Sequence, residues 1–329
     1  MSLDDELSDL LIISLEQAVA APYCGLLLAS AGARVIKVER PEGDFARSYD
    51  NSINGKSAIF AWLNRGKESI SLNLKNKIDK TIFKNMLRKA DVFLSNLTPG
   101  SLEKLELDYK QVKALNPKLI FCEITGYGNS KLAHSKKAYD FLIQAESGLC
   151  SVTGTEKYPS KVGISVTDLS TGLTAYSAIL RGIIKRSKTK KGISISISMF
   201  DVMADWMNMP LLAHRYMGGT PKRNGMKHSF IAPYGTFKCK NNDEILISIQ
   251  NNREFEVFCT KILKNKTLFK NPKFQDNPNR YKNRNELDEI INSCFLKHSK
   301  KELQKKLDSG GIANAFLNNT SDLSEHKLL

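Results

Sequence analysis

The sequence predicts an α/β protein with two domains: a large domain built on a Rossmann-like parallel sheet, and a smaller α+β domain after it. Two observations support this fold class. Short runs of β-branched and apolar residues alternate with helix-like segments through the first half of the chain, at the spacing of strand–helix–strand units. Beyond residue 232 the pattern changes to a hairpin and then to lysine-rich helical segments. The 329 residues suffice for two domains.

The predicted strands of the large domain are short apolar runs bounded by polar residues. They cover residues 10–15, 34–39, 69–74, 91–96, 118–124 and 192–198. The first helix is predicted to begin at Pro22, because proline suits the first turn of a helix, and to end near Gly32. Further helices are predicted over residues 57–64, 77–89, 139–149, 169–186 and 199–216.

The C-terminal part of the chain has its own pattern. The segment YGTFKCKNNDEILISIQ (234–250) predicts a β-hairpin with its turn at NND, and helices follow it. We therefore expect the large domain over residues 1–231 and the small domain over residues 232–329.

The charge balance is strongly basic, with 49 lysines and arginines against 34 acidic residues and a net charge of +15. Such a balance suits a nucleic-acid binder or an enzyme for a phosphate-rich small molecule. Much of the excess lies in residues 261–306, where lysines alternate with asparagine and apolar residues as on solvated helix faces. No zinc-finger or RNP-type pattern accompanies them. We expect no nucleic-acid partner.

The sequence also bears on location. Its longest apolar stretches, 10–15 and 23–31, are too short to cross a bilayer, and the N-terminal residues MSLDDELSD are acidic and polar, unlike a secretory signal. We expect a cytoplasmic protein without a membrane partner.

Several familiar catalytic motifs do not occur. The turn after the first strand is EQAVAAPYC and lacks the glycines of a dinucleotide site, and no Walker loop, HExxH or GxSxG is present. The six cysteines form no CxxC pair, and the five histidines show no metal-ligand spacing. The sequence argues against a nicotinamide enzyme, a zinc hydrolase and a disulfide framework, and we expect no metal.

Basic residues follow several of the predicted strands. They are Arg40, Lys75, Lys104, Lys136 and Lys137. Ligands of open α/β sheets bind at the carboxyl ends of the strands, so cations that converge there would suit a polyphosphate. For any one of these residues taken alone, a solvated loop charge is the favoured explanation.

These residues lie within a wider pattern of motifs. The motifs are AAPYCGLLLASAGARVIKVERPEGD, NRGKESISLNLK, ADVFLSNLTPGSLEKLELDY, ITGYG and KVGISVTDLSTGLTAYSAIL. In them the chain resembles the class III CoA-transferases (the CaiB/BaiF family), which include formyl-CoA transferase and carnitine CoA-transferase and have the α-methylacyl-CoA racemases as relatives. The resemblance implies an enzyme that moves coenzyme A (CoA) between carboxylic acids, with acyl-CoA as substrate and Asp168 as a covalent nucleophile. It also implies an interlocked homodimer.

The resemblance carries a set of CoA-binding positions onto this chain. They are Val19, Ala20, Arg40, Leu72, Asn73, Leu74, Lys75, Asn96, Leu97, Thr98, Lys104, Lys136, Lys137 and Tyr139. Formyl-CoA transferase has a glutamine at the place of Val19 and a GGGGQ loop that this chain lacks, which argues against oxalate or formate as the substrate. Racemases have a histidine at the place of Tyr139. A tyrosine with an ordinary pKa of about 10 is a poor proton shuttle at neutral pH, so transfer is favoured over racemisation.

The segment from IAPYG to QNNREFEVFC is similar to the subgroup of itaconate and mesaconyl-CoA transferases. This likeness implies small dicarboxylates, with succinyl-CoA and acids of the itaconate, mesaconate or citramalate type. Arg215, Arg223 and His228, and with them Lys222 and Lys227, are candidates for holding the distal carboxylate, although ordinary surface charge explains them as well.

Four alternatives stay open at this point. One is a nucleic-acid binder, whose affinity would fall steeply with salt and would not respond to free CoA. An acyl-CoA racemase or isomerase of the same superfamily, or a non-catalytic CoA-binding protein, would share most of these motifs. Asp168 is also explained as the N-cap of the helix that follows it.

Relatives continue past the point that matches LSEHKLL, so we expect the chain to end before the segment that returns to the large domain.

Overall fold

A computed structural model describes residues 5–130, 132–133 and 136–329. The chain forms two compact units. The first contains Met1–Val152 and Ser160–Thr220, and the second contains Thr153–Pro159 and Pro221–Leu329. The predicted domain boundary after residue 231 falls inside the second unit. The extent of the two domains stays a prediction.

The first unit is built on a six-stranded sheet. Its strands are β1 (Leu11–Leu15), β2 (Arg34–Glu39), β3 (Glu68–Ser71), β4 (Val92–Ser95), β5 (Ile120–Thr125) and β6 (Ile193–Ser198). All neighbouring pairs are parallel, and the spatial order is β3-β2-β1-β4-β5-β6. This is the doubly wound order of the Rossmann fold, so the predicted fold class is confirmed.

Helices cover both faces of this sheet. They are α1 (Ala20–Ser30), α2 (Ala58–Asn64), α3 (Lys77–Lys89), α4 (Ser101–Lys104), α5 (Tyr109–Leu115), α6 (Asp140–Glu146), α7 (Leu149–Val152), α8 (Val166–Thr189), α9 (Met199–Trp206) and α10 (Asn208–Tyr216). Successive strand residues point to opposite faces. In β1, Ile12 therefore packs in the core that includes α1 and α8, whereas Ile13 packs with Phe83 and Phe93 on the other face. Strands that are buried on both faces require nearly continuous apolar runs, as these sequences provide.

A glycine lets α8 approach α1 closely. A Cβ atom at Gly172 would lie 2.5 Å from the carbonyl oxygen of Ala20 and 3.2 Å from the amide nitrogen of Cys24. Only glycine fits this crossing without a shift of backbone. The STG of the DLSTG motif therefore sets the position of the first turns of α8 against the start of α1.

The second unit combines a three-stranded antiparallel sheet with helices. The strands are β7 (Tyr234–Lys238), β8 (Glu244–Ser248) and β9 (Ala313–Phe316), in the order β7-β8-β9. The helices are α11 (Asn252–Val257), α12 (Asn277–Lys282), α13 (Arg284–Phe295), α14 (Lys300–Ser309) and α15 (Thr320–Ser324), and a π-helical turn spans Phe258–Ile262. The predicted hairpin is present as β7 and β8, with NND in its turn.

Several predicted boundaries were wrong. The first helix begins at Ala20, two positions before Pro22, because a proline is tolerated throughout the first turn, where N–H groups lack helical partners. The third strand ends at Ser71, and residues 72–75 form a loop. The predicted helix over 199–216 is two helices that meet at Met207. Strand β9 was not predicted, because its sequence ANAF has little β-branched character.

The prediction that Asp168 precedes its helix was also wrong. Helix α8 begins at Val166, with Ser165 as its N-cap residue, so Asp168 lies inside the first turn. The alternative of an N-cap aspartate is thereby excluded. The carboxylate of Asp168 is left available for another role.

Candidate active site

The carboxyl ends of the central strands border a cleft of about 510 Å³, here called the Asp168 cleft. The strand order reverses between β1 and β4, and open α/β sheets bind ligands at such a switch point. The polar and charged lining residues come from the loops after β1, β2 and β4, from the end of β5, from the segment that enters α6 and its first residue, and from the entry and first turn of α8. They are Gln17, Tyr49, Asn96, Thr98, Thr125, Lys136, Lys137, Tyr139, Asp140, Lys161, Ser165 and Asp168.

A second cleft of about 530 Å³, here called the Arg40 cleft, adjoins the first. Its lining comes from the ends of β1 and β2 and from the loop after β3. Gln17 and Leu97 line both clefts, which therefore meet at the switch point. The two clefts together offer an elongated space, with Arg40 and Lys75 in one part and Asp168 in the other.

The loop between the two clefts is fixed by side-chain hydrogen bonds. The Gln17 amide N–H donates to Oδ1 of Asn96 at 2.9 Å, and Nδ2 of Asn96 donates to the Gln17 carbonyl at 2.8 Å. The next residue, Ala18, adopts a left-handed backbone with a φ of 63°, and its N–H donates to Asp44. A non-glycine residue in this region is strained, and such strain persists only where the surroundings enforce it.

A buried network of charged side chains, which includes Asp44, holds the strained backbone of Ala18 in place. The side chains of Glu16, Lys37, Asp44 and Lys67 are at most 1% exposed. Lys67 contacts Glu16 at 2.6 Å, and Lys37 lies 2.7 Å from Asp44 and 3.7 Å from Glu16. Burial alone would raise the pKa of Glu16, but the ammonium groups of Lys67 and Lys37 and the hydrogen bonds from Lys67 and Ser14 hold it below its ordinary value.

Asp140 holds the beginning of α8. Its Oδ1 accepts the Thr167 N–H at 2.8 Å, the Thr167 hydroxyl at 2.5 Å and, at 3.4 Å, the Asp168 N–H. Its Oδ2 accepts Nε2 of Gln144 at 2.7 Å. A carboxylate from α6 thus caps a helix that begins more than twenty residues later, in place of a local N-cap side chain.

The Asp168 carboxyl has an unusual protonation equilibrium. Burial raises its pKa from 3.8 to about 7, and the nearby charge of Asp140 adds to the rise. A carboxylate in the first turn of a helix is ordinarily stabilised by free N–H groups. Asp140 occupies those donors here. Asp168 is therefore a more basic carboxylate than usual, of the type found at functional sites.

Two tyrosines, Tyr49 and Tyr139, line the Asp168 cleft. Burial, and then the charges of Asp44 and Asp168, raise the pKa of Tyr49 to about 12, so its hydroxyl stays protonated at neutral pH. Tyr139 immediately precedes α6 and is 59% exposed in the cleft. Lys136, next along the lining, forms an ion pair with Glu146 and lies 4.1 Å from the centre of the Tyr127 ring.

The structure brings most of the predicted CoA-binding positions to the two clefts. The Asp168 cleft contains Val19, Ala20, Asn96, Leu97, Thr98, Lys136, Lys137 and Tyr139. The Arg40 cleft contains Arg40, Leu72, Asn73, Leu74, Lys75 and again Leu97. Lys104, at the end of α4, is exposed and lines neither cleft. The CoA-binding role of these residues stays a prediction.

The substrate-binding role of Arg215, Arg223 and His228 stays a prediction. Arg215 is exposed on α10 and does not line the Asp168 cleft. Arg223 and His228 belong to the second unit. The Arg223 guanidinium donates to the carbonyls of Thr155 and Glu156, and Nδ1 of His228 accepts the N–H groups of Phe230 and Ile231.

Sequence reasoning missed Tyr49, Asp140, Lys161 and the buried charge network. One signal was available: Lys37 interrupts the apolar strand RVIKVE, and a lysine in a strand buried on both faces must have a partner. Asp140 follows Tyr139 at the start of a predicted helix, which suggests only a local role.

A doubly wound sheet with a basic carboxylate and several cations at its switch point is typical of a site for an anionic ligand. Comparison with known proteins specifies the class. The sequence model of CoA-transferase family III matches residues 7–329. The chain belongs to this family and is an enzyme of the transferase class.

Individual relatives agree with this assignment. The chain is 35% identical to a succinyl-CoA:glutarate CoA-transferase of Mus musculus over 97% of this chain and 73% of the relative. It is 34% identical to an acetyl-CoA:oxalate CoA-transferase of Acetobacter aceti over 88% of this chain and 74% of the relative. The crystal structure of a CaiB/BaiF family protein from Brucella suis superimposes with a TM-score of 0.86 and 31% identity, over 99% of this chain and 87% of that one.

The predicted likeness to mesaconyl-CoA transferases is also confirmed. A succinyl-CoA:mesaconate CoA-transferase of Haloarcula marismortui is 32% identical over 77% of this chain and 66% of its own length. No helix in the described part of the chain has both the length and the apolar character needed to traverse a bilayer. Among the same residues, no group of three or more His, Cys, Asp or Glu side chains is arranged to hold a metal ion.

Proposed function

We propose that this chain transfers CoA between small dicarboxylic acids through covalent intermediates on Asp168. The observation that carries the proposal is the basic, partly buried Asp168 carboxyl at the switch point, between cations suited to CoA on one side and open cleft on the other. Dicarboxylates as substrates are supported by relatives named for succinate, glutarate, oxalate and mesaconate.

In the first half of the reaction, an oxygen of Asp168 attacks the thioester carbonyl of the donor acyl-CoA. A carbon–oxygen bond forms, the carbon–sulfur bond breaks, and CoA thiolate leaves behind an aspartyl mixed anhydride. The thiolate then attacks the aspartyl carbonyl of the anhydride. The donor acid departs as its carboxylate, and an aspartyl-CoA thioester remains.

The second half repeats these steps in reverse. A carboxylate of the acceptor acid attacks the aspartyl-CoA thioester and releases thiolate, which then attacks the acceptor carbonyl of the new anhydride. Acceptor acyl-CoA departs and Asp168 is regenerated as a carboxylate. Each half of the reaction converts one CoA thioester of a carboxylic acid into another, so a carboxylate is the appropriate nucleophile.

Three features of the cleft suit this chemistry. A pKa of about 7 makes Asp168 more nucleophilic than an ordinary carboxylate, while a substantial fraction is ionised at neutral pH. Tyr49 keeps its proton and supplies a hydrogen-bond donor near the developing oxyanion. The Asp140 cap fixes the first turn of α8 and therefore the direction of the carboxylate.

Racemisation is the weaker alternative, because it needs a second group that exchanges protons at neutral pH. Tyr49 is protonated throughout this range, and the lining that the structure describes contains no histidine. Cytoplasmic location stays a prediction.

A homodimer is part of the proposal. The exposed side chains Met209, Leu212 and Tyr216 recur on one face of α10, at 61%, 48% and 76% exposure. An apolar helix face of this kind suits an interface with a second copy. Light scattering after gel filtration should give twice the mass of the chain, and a monomer at micromolar concentration would contradict this part.

The proposed activity is tested with succinyl-CoA as donor and glutarate, mesaconate, itaconate, citramalate, malate or oxalate as acceptor, with acyl-CoA products separated by chromatography. At least one dicarboxylate should yield its CoA thioester with release of succinate, and Asp168→Asn should not. Absence of any new thioester in the wild type, or undiminished exchange in the variant, would overturn the proposal. Asp201→Asn, at the same third position of α9, is a matched control that should retain activity.

A further inference from the structure

The lysines that line the Asp168 cleft differ in how their charges are used. Lys136 is committed to an ion pair with Glu146 and to the Tyr127 ring. Lys161 is exposed, and among the residues that the structure describes its Nζ donates only to the adjacent Val162 carbonyl, at 3.3 Å. Lys137 is exposed as well. Within the part of the chain that the structure describes, neither Lys137 nor Lys161 has a carboxylate partner.

The backbone beside Lys161 is fixed to the group that positions Asp168. The Val162 N–H donates at 2.8 Å to Oε1 of Gln144, a fully buried side chain. Nε2 of the same Gln144 donates at 2.7 Å to Asp140, which caps the helix that carries Asp168. One buried amide therefore joins the segment of Lys161 to the first turn of α8.

Lys137 has a different attachment. It follows Lys136 and lies two residues before Tyr139, on the segment that enters α6. Lys161 is instead on the segment that enters α8, so the two cations reach the cleft from different elements.

We propose that Lys161 recognises the second, non-reacting carboxylate of the dicarboxylic acyl group. This inference rests on the proposed function and specifies how the site selects its substrate. The Lys161 ammonium is a mobile point charge on a fixed backbone, which suits distal carboxylates at the different distances found in four- and five-carbon acids. Lys161 would then have the carboxylate-binding role that the sequence predicted for Arg215, Arg223 and His228.

The test compares acceptors that differ only in the second carboxylate, glutarate against pentanoate and succinate against butyrate, in wild type and Lys161→Met. Loss of one charge-assisted hydrogen bond should lower kcat/KM for the dicarboxylate relative to the monocarboxylate by about tenfold or more. Lys161→Arg should restore most of the discrimination. Lys185→Met, an exposed lysine on α8 outside the cleft, serves as the control and should leave the ratio unchanged.

The outcomes separate this inference from the function on which it rests. If the wild type transfers CoA to no acid, the proposed function fails. If the wild type is active and Lys161→Met lowers transfer to both kinds of acid equally, or changes neither, the assignment of Lys161 is overturned. A weakened affinity for CoA itself, measured by calorimetry with free CoA, would also overturn it, because it would place Lys161 on the phosphates.

Discussion

Replacing Asp168 by asparagine is expected to stabilise the fold while it abolishes CoA transfer. Burial and the Asp140 charge raise the pKa of this carboxyl from 3.8 to about 7. A raised pKa means that the native state favours the protonated acid. The stability that this group contributes is complete below about pH 4, and it is lost as the pH rises through about 7. Asparagine has no ionisable side chain, so the stability of Asp168→Asn does not depend on this protonation equilibrium.

The magnitude follows from the size of the shift. A shift from 3.8 to about 7, at about 1.36 kcal/mol per unit, gives an upper limit of about 4 kcal/mol for ionising Asp168 in the folded protein. Because the cleft is open to solvent, screening lowers this figure, and we expect on the order of 2 kcal/mol. Asp168→Asn should therefore gain stability relative to wild type as the pH increases from about 4 to about 7, and the difference should stay level above that pH.

Urea denaturation at a series of pH values measures this difference. Both tryptophans, Trp62 and Trp206, lie in the first unit, so their fluorescence reports the unfolding of the unit that contains Asp168. Asp201→Asn changes an exposed carboxylate at the same position of α9 and should show no comparable gain. A stability difference between wild type and Asp168→Asn that stays constant across the pH range would refute the reasoning.

Three further predictions concern the surroundings of this carboxyl and the second unit. Asp140→Asn removes a charge beside Asp168, so the midpoint of the pH profile of kcat/KM should fall below that of wild type; an unchanged midpoint would contradict the role of Asp140. Lys67→Met leaves Glu16 with the Ser14 hydroxyl and with Lys37 at 3.7 Å as its partners, and should cost about 3–5 kcal/mol in urea denaturation, most of which Glu16→Gln should recover in the double variant. Arg284→Met removes donors to the carbonyls of residues 228, 231 and 234, and should increase amide hydrogen exchange in that segment; equal protection in both proteins would count against it.

The fold was largely predictable because its signals are local. Strands that are buried on both faces require apolar runs. Helices such as α3 are predicted by an apolar face and by an asparagine at the N-cap position. The errors lie at element ends. The prediction extended the third strand to residue 74 because Leu72 and Leu74 continue its alternating pattern. In the structure these two leucines are buried, but they belong to the loop that follows β3.

The site was only partly predictable, because its organisation depends on contacts between distant segments. Asp168 could be identified by its motif, but the residue that caps its helix, Asp140, lies in another helix. The strained backbone at Ala18 depends on Asp44 and on charges contributed by β2 and the loop before β3. The sequence also does not show that the polar groups of Arg223 and His228 form hydrogen bonds with neighbouring backbone. Composition and spacing do not reveal which polar side chains already form hydrogen bonds or ion pairs within the protein.

The central claim is that Asp168 becomes covalently acylated, and trapping tests it most directly. The protein is incubated with succinyl-CoA, treated with hydroxylamine, digested and analysed by mass spectrometry. A thioester or anhydride on the carboxyl should be converted to a hydroxamate that adds about 15 Da to Asp168. We predict this change in wild type and in Asp201→Asn, and none without acyl-CoA. An unmodified Asp168 in protein that is actively transferring CoA would contradict the account.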